Sequence, residues 1–241
     1  MSRLLRLLVL VLIVGLLPAL PSAAASRKKA PAVRALAAPI TSVHYVPTVQ
    51  NAVIRVEVTR HADLDSTGQG VLLTYSPYNT LGDPTGTGTV SGNSEFLKMG
   101  IARAHADVLG TRGSTGCWDY GGADEQQSGV DVVRFLAGEI PDTKGRILDW
   151  SNGNVGMTGG SYNGTTATMV AATGLPALKA IEPIAAISHW YGYAYYDGVR
   201  YFLNSEAPTD EGFDTPLAFD HGIGDTVHTD NPETVKARAA E

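Results

Sequence analysis

The sequence predicts an α/β fold: a mostly parallel sheet with helices on both faces, left incomplete at its C-terminal end. Three observations predict it. Strand-like and helix-like runs alternate from Val53 to Ile184, the pattern of parallel strands joined by crossover helices. One strand enters a helix without a spacer, through Gly159-Gly160-Ser161-Tyr162-Asn163-Gly164. After Ala186 the alternation stops, and no further strand–helix unit is legible.

At the N-terminus, Arg3 and Arg6 precede an apolar run, Leu7 to Leu17, and small residues ending in Ala23-Ala24-Ala25. A basic start, a short apolar centre and an A-x-A site are the parts of a secretory signal peptide, expected over residues 1–25. The run is too short for a membrane span. The expected product is therefore secreted, with no stable membrane association after cleavage. Residues 26–50 read as a flexible leader, basic at Arg27-Lys28-Lys29 and rich in Ala and Pro up to about Pro39.

The core is expected over residues 51–186. Val53 to Val58 alternates apolar and polar residues, as a half-buried strand does. Asp63 to Gly70 is a turn and Val71 to Tyr75 a short apolar strand. Asp83 to Gly92 is a Gly/Thr/Pro loop, too irregular for a dinucleotide fingerprint. Ile101 to Leu109 is a strand stopped by Gly110. Asp124 to Ala137 has helical spacing, with Val130, Val133, Phe135 and Leu136 on or near one face. Asn154 to Thr158 is a strand, Asn163 to Thr173 a helix of small residues stopped by Gly174 and Pro176, and Lys179 to Ile184 the next strand.

Composition excludes several classes. The formal net charge is −6 and becomes −8 without Arg3 and Arg6, so there is no basic footprint for nucleic acid. Cys117 is the single cysteine, which excludes an intrachain disulfide. No H-E-x-x-H motif or Cys/His cluster offers a metal site, and no cofactor is expected. Nothing in the sequence fixes an oligomeric state.

The turn at Ser161 carries the chemistry. A serine between strand and helix, flanked by glycines, has the context of a nucleophile elbow. The tight bend brings backbone atoms together, and the following helix points its free N–H groups at the same place. The pattern is G-x-S-Y-x-G, with Asn163 where the common form has its second glycine. A serine that merely caps the helix is the alternative. Asn163-Gly164-Thr165 also matches a glycosylation sequon, which a buried turn makes a poor acceptor.

Four ordered segments resemble the S15 peptidases, the Xaa-Pro dipeptidyl-peptidases, and their cocaine-esterase-like relatives. They are Ser76-Pro77-Tyr78 after a strand, Asp107 to Gly116 with its D-x-x-G-x-x-G-S-x-G pattern, Trp150 and Asn152 to Met157 leading into the elbow, and Ser188-His-Trp190-Tyr-Gly-Tyr193. The resemblance runs from about Ile54 to Gly198. It implies an α/β-hydrolase fold, of which this chain is the N-terminal part, with residues 187–241 the start of a cap or insert. It implies Ser161 as acylating nucleophile, with the Tyr78 hydroxyl and the Tyr162 backbone N–H as oxyanion donors. Trp190 and Tyr193 fall where the family lines its proline pocket, and core packing is the other reading of both. Glu206, Asp210 and Glu211 are candidates by position for holding a substrate amine.

A serine nucleophile needs a base and an orienting acid, in the chain order Ser, Asp, His for this fold. Only 80 residues follow Ser161, with His189, His221 and His228. Each βα unit takes ~30 residues or more; His189 lies too soon after the elbow, and no apolar strand precedes His221 or His228. The Asp and His are therefore expected beyond residue 241, in a chain that is truncated or a fragment. The expected function is release of N-terminal X-Pro dipeptides from peptides. The alternatives are a hydrolase of small esters or amides, and a secreted, non-catalytic binding fragment of the same fold.

Overall fold

The computed structural model describes residues 36–78 and 94–200 of the chain. These residues form a six-stranded sheet from β1 (Ile40–Pro47), β2 (Val53–Arg60), β3 (Gln69–Ser76), β4 (Ile101–Asp107), β5 (Ser151–Gly160) and β6 (Leu178–Ile184). The spatial order is β1-β2-β4-β3-β5-β6. β4, β3, β5 and β6 run parallel, and β1 and β2 close one side antiparallel. The helices are α1 (Ser94–Lys98), α2 (Ala123–Leu136) and α3 (Tyr162–Ala171). Beyond β6 come α4 (Trp190–Ala194) and a small hairpin of β7 (Tyr195–Tyr196) and β8 (Val199–Arg200).

Strand alternation sorts the sheet into two chemically different faces. Ile54, Val56, Val58, Ala102, Ala104, Ala106, Val71, Leu73, Val155 and Met157 point to one face. There they meet Val132, Val133, Phe135 and Leu136 of α2 and Ala167 and Val170 of α3 in a single buried core. The other face of β2 and β4 carries Arg55, Glu57, Arg103, His105 and Asp107. α1 lies on this side, with Arg103 stacked over the Phe96 ring at 5.6 Å. Burial, and after it the Arg103 charge, push His105 down to about 4, so its imidazole is neutral.

Fully buried charges persist only when paired. Arg55 donates to Glu57 at 2.8 Å and lies 3.8 Å from Asp107, which Arg112 also approaches at 3.6 Å. This network zips the loop after β4 onto β2. Arg55 N donates to the Ser114 hydroxyl at 2.9 Å, which donates to Asp107 O at 2.8 Å, and Thr115 N donates to Val53 O at 2.9 Å. Gly110 folds the loop back: its φ is 76°, and a Cβ there would stand 2.7 Å from Trp118 N.

Two elements differ from the sequence reading. Ile40–Pro47 lies within the stretch read as leader, yet it pairs with β2 through eight residues, from Ile40↔Arg60 to Pro47↔Val53. Its polar Thr41, Ser42 and His44 hide the alternation. Contacts remote in sequence explain why they are there. His44 Nδ1 lies 3.0 Å from Asp142 Oδ2, Ser42 bonds His44 Nε2 at 2.9 Å, and Thr143 N donates to Tyr45 O at 2.9 Å. Burial alone would raise the Asp142 carboxyl, but hydrogen bonds from Arg146 and His44 outweigh it and hold it low. β4 ends at Asp107 rather than Leu109, because Thr111 N and Oγ1 both bond Val108 O and turn the chain.

Candidate active site

Leu73 of β3 stands opposite Met157 of β5 in parallel register. Carrying that register forward sets Ser76 level with Gly160, the last residue of each strand. Ser161 and Tyr78 therefore leave the same carboxyl edge of the sheet from adjacent strands. Tyr78 N donates to the buried Ser76 hydroxyl at 3.0 Å, which fixes the turn that carries it. Both Ser161 and Tyr78 are exposed.

Ser161 has φ 58° and ψ −126°, a conformation that costs a non-glycine residue about 1–3 kcal/mol. Its surroundings hold it there. Ser161 N donates to Ile184 O of β6 at 2.8 Å, and Ser161 O accepts from Gly164 N at 2.9 Å and Thr165 N at 3.1 Å. Its side chain makes no capping hydrogen bond to α3, so the helix-cap reading does not describe this serine. At Gly159 a Cβ would fall 2.3 Å from the Asn163 Cβ, and at Gly164 it would fall 2.9 Å from Ile184 O and 3.0 Å from Gly159 O. Asn163 keeps its side chain at the position of the missing second glycine because Gly159 has none.

Tyr162 turns inward and is fully buried. Its hydroxyl donates to Glu125 Oε2 at 2.7 Å. Trp118 Nε1, on the loop after β4, shares its proton between that same oxygen at 3.0 Å and the Tyr162 hydroxyl at 2.9 Å. Gly121 N donates to Glu125 Oε2 at 2.7 Å. Burial pushes Glu125 up to about 7, against the three hydrogen bonds that favour its charged form. Burial, and after it the Glu125 charge, keep the Tyr162 phenol protonated and thus a donor. Neither Glu125 nor Trp118 was singled out by the sequence. The available signal was an acid on the apolar stripe of α2, three and seven residues ahead of the buried Ser128 and Val132.

An aromatic chain leads outward from Tyr162. Trp190 lies 6.0 Å from it and Tyr193 6.3 Å from Trp190, ring centre to ring centre. Trp118 stacks on Tyr120 at 4.5 Å, and Gly121 leaves room for the Trp190 ring at 3.2 Å from where its Cβ would be. Burial, and after it the Tyr78 phenol, push Tyr193 up. Ser161 and Tyr78 thus leave one sheet edge, and ring contacts join the buried Tyr162 to Trp190 and Trp190 to Tyr193. His189 is exposed and caps α4, its Nδ1 accepting from Gly192 N at 3.0 Å. His221, His228, Glu206, Asp210 and Glu211 lie outside the described residues. Among the described residues no group of His, Cys, Asp or Glu converges as metal ligands do.

The model of the X-Pro dipeptidyl-peptidase (S15 family) matches residues 52–226. A Streptomyces avermitilis protein whose name places it with the Xaa-Pro dipeptidyl-peptidases is 32% identical over 187 residues, 68% of this chain and 28% of its own. The Xaa-Pro dipeptidyl-peptidase of Lactobacillus helveticus is 40% identical over 107 residues, 42% of this chain and 14% of its own. The chain thus spans under a third of the length of either relative. A CocE/NonD family hydrolase from Staphylococcus aureus superposes with a TM-score of 0.61 at 20% identity, over 83% of this chain and 36% of that one. An alpha-amino acid ester hydrolase superposes with a TM-score of 0.53 at 23% identity, over 76% and 31%. At those identities the likeness establishes the fold, an α/β hydrolase.

Two outcomes test this geometry. Gly164→Ala destabilises the chain by about 1–3 kcal/mol in urea unfolding, because backbone surrounds the new methyl group. Gly160→Ala, with nothing within 4 Å, stays within about 1 kcal/mol of wild type. Equal losses would contradict the packing. Glu125 sets a pH dependence. Its folded value lies above the ordinary 4.5, so the stability it contributes is full below 4.5 and lost as pH rises through about 7. The loss is on the order of 3 kcal/mol at about 1.4 kcal/mol per unit. Stability of wild type relative to Glu125→Gln falls by that amount between pH 4.5 and 8, a comparison that cancels His44 and His105. A constant difference would contradict it.

Proposed function

The chain belongs to the X-Pro dipeptidyl-peptidase (S15) family, and from that premise we propose that Ser161 is the acylating nucleophile of a secreted serine hydrolase that releases N-terminal X-Pro dipeptides. The observation that carries the proposal is the Ser161 conformation. A strained, exposed serine without a capping bond is held between two strand ends and a helix start. Strain of this kind persists only where the surroundings enforce it.

In the proposed reaction the Ser161 hydroxyl attacks the carbonyl carbon of the proline residue. The tetrahedral oxyanion accepts hydrogen bonds from the Tyr162 N–H and the Tyr78 hydroxyl. Tyr162 opens α3, so its N–H has no acceptor within the helix. A general base takes the serine proton and gives it to the departing amine. Water then deacylates the enzyme by the same route reversed. We place the base and its carboxylate outside the described residues, since His189 is held by its own helix. Trp190 and Tyr193 offer aromatic walls to a proline ring. Export of the protein rests on Arg3, Arg6, the apolar run and the A-x-A site.

A second reading, hydrolysis of small esters or amides, draws support from the fold shared with the CocE/NonD hydrolase. Turnover of Ala-Pro p-nitroanilide against an aryl ester, by a form that carries the base and its carboxylate, separates the two. The proposal expects the anilide to be favoured, Ser161→Ala to abolish turnover, and Tyr78→Phe to lower kcat about 10²- to 10³-fold. Preference for the ester would overturn the peptidase reading. Unchanged turnover in Ser161→Ala would overturn the nucleophile.

A further inference from the structure

We propose that Glu125 is a positioning residue for the elbow: its buried carboxylate grips the Tyr162 side chain and thereby aims the Tyr162 backbone N–H at the reacting oxygen. This rests on the reading of Ser161 as nucleophile.

The geometry that carries it is a one-sided cluster. Three donors, the Tyr162 hydroxyl at 2.7 Å, Gly121 N at 2.7 Å and Trp118 Nε1 at 3.0 Å, converge on Glu125 Oε2. The other oxygen, Oε1, is buried and has no hydrogen-bond partner. A folded core rarely buries a carboxylate to satisfy only one of its oxygens. Replacing Glu125 alone by an apolar residue would leave three buried donors without their acceptor. What Glu125 adds is a mechanical link between three elements. α2 carries it, and Asp119 fixes its end by accepting from Asp124 N and Glu125 N at 3.0 and 3.1 Å. The loop after β4 contributes Trp118 and Gly121. α3 contributes Tyr162, the residue directly after the nucleophile. The Tyr162 ring meets Trp118 edge-on, centres 5.3 Å apart, and lies 6.0 Å from Trp190, centre to centre, so its phenol cannot swing without displacing those rings.

The ionised carboxylate grips hardest, because charge-assisted hydrogen bonds are about twice as strong as neutral ones. Burial pushes the group up to about 7, so the grip loosens within the neutral range. The titratable groups facing Glu125 are Asp119 and Tyr120 on the loop, Tyr75 on β3 and Tyr162 on α3, and none of these four brings a positive charge. Tyr75 donates or accepts at Ser128 at 2.8 Å, one turn along α2, and so ties β3 into the same cluster.

The test follows the Tyr162 backbone amide by ¹⁵N NMR in the full chain between pH 5 and 9, with labelling of Ser161 by a fluorophosphonate in parallel. The amide resonance is expected to titrate with a midpoint near 7 in wild type. In Glu125→Gln, whose amide oxygen replaces Oε2, it should stay at one position across that range. Tyr162→Phe, which cuts the link and keeps the ring, is expected to displace the Tyr162 amide and slow labelling at least 10-fold. A Tyr162 amide that ignores pH in wild type, or titrates equally in Glu125→Gln, overturns the proposal. Equal labelling of wild type and Ser161→Ala would sink the nucleophile reading, while the amide titration decides the link to Glu125 whether or not the label reacts.

Discussion

The site depends on two approaches that tolerate no side chain. Gly159 faces the Asn163 Cβ, and Gly164 faces the backbone of Ile184. With those atoms absent, β5 passes into α3 through one residue, and that residue is Ser161. The hydrogen bond from Ser161 N to Ile184 O then ties the bend to β6. Strain at one position is thus offset by strand pairing and helix packing around it. The hydroxyl is left outside, at the carboxyl edge where β3 delivers Tyr78.

The two faces of the sheet divide the labour. The apolar face, with its small residues in β4, seats α2 and α3 and so fixes the helix that begins at the elbow. The charged face binds the loop after β4 to β2 through Arg55, Asp107 and Arg112. That loop then carries Trp118 and Gly121 to Glu125. The D-x-x-G-x-x-G-S-x-G segment is therefore an anchor for the wall of the site. Its Asp is an ion-pair partner, its first glycine a fold-back, and its serine a rung between β2 and Asp107.

Most of the sheet was legible because alternation and Gly punctuation report local geometry. β2, β3, β5, β6 and both long helices lie within a few residues of where period and breakers put them. β1 was not legible, because its buried polar residue, His44, is explained only by Asp142, some hundred residues away in sequence. The elbow could be read from its glycines, and Tyr78 from its place after a strand. Glu125 could be seen only as an acid on an apolar stripe. What satisfies it comes from α3 and from the loop after β4, and no local pattern encodes that meeting.

The proposed role of Ser161 requires its presentation between two donors that receive negative charge. A crystal structure of the chain with a dipeptidyl boronate whose second residue is a proline analogue tests it most directly. The account predicts a bond from boron to Ser161 Oγ, with one boron oxygen about 3 Å from both Tyr162 N and the Tyr78 hydroxyl. Boron bonded elsewhere, or an oxygen turned away from both donors, would contradict it.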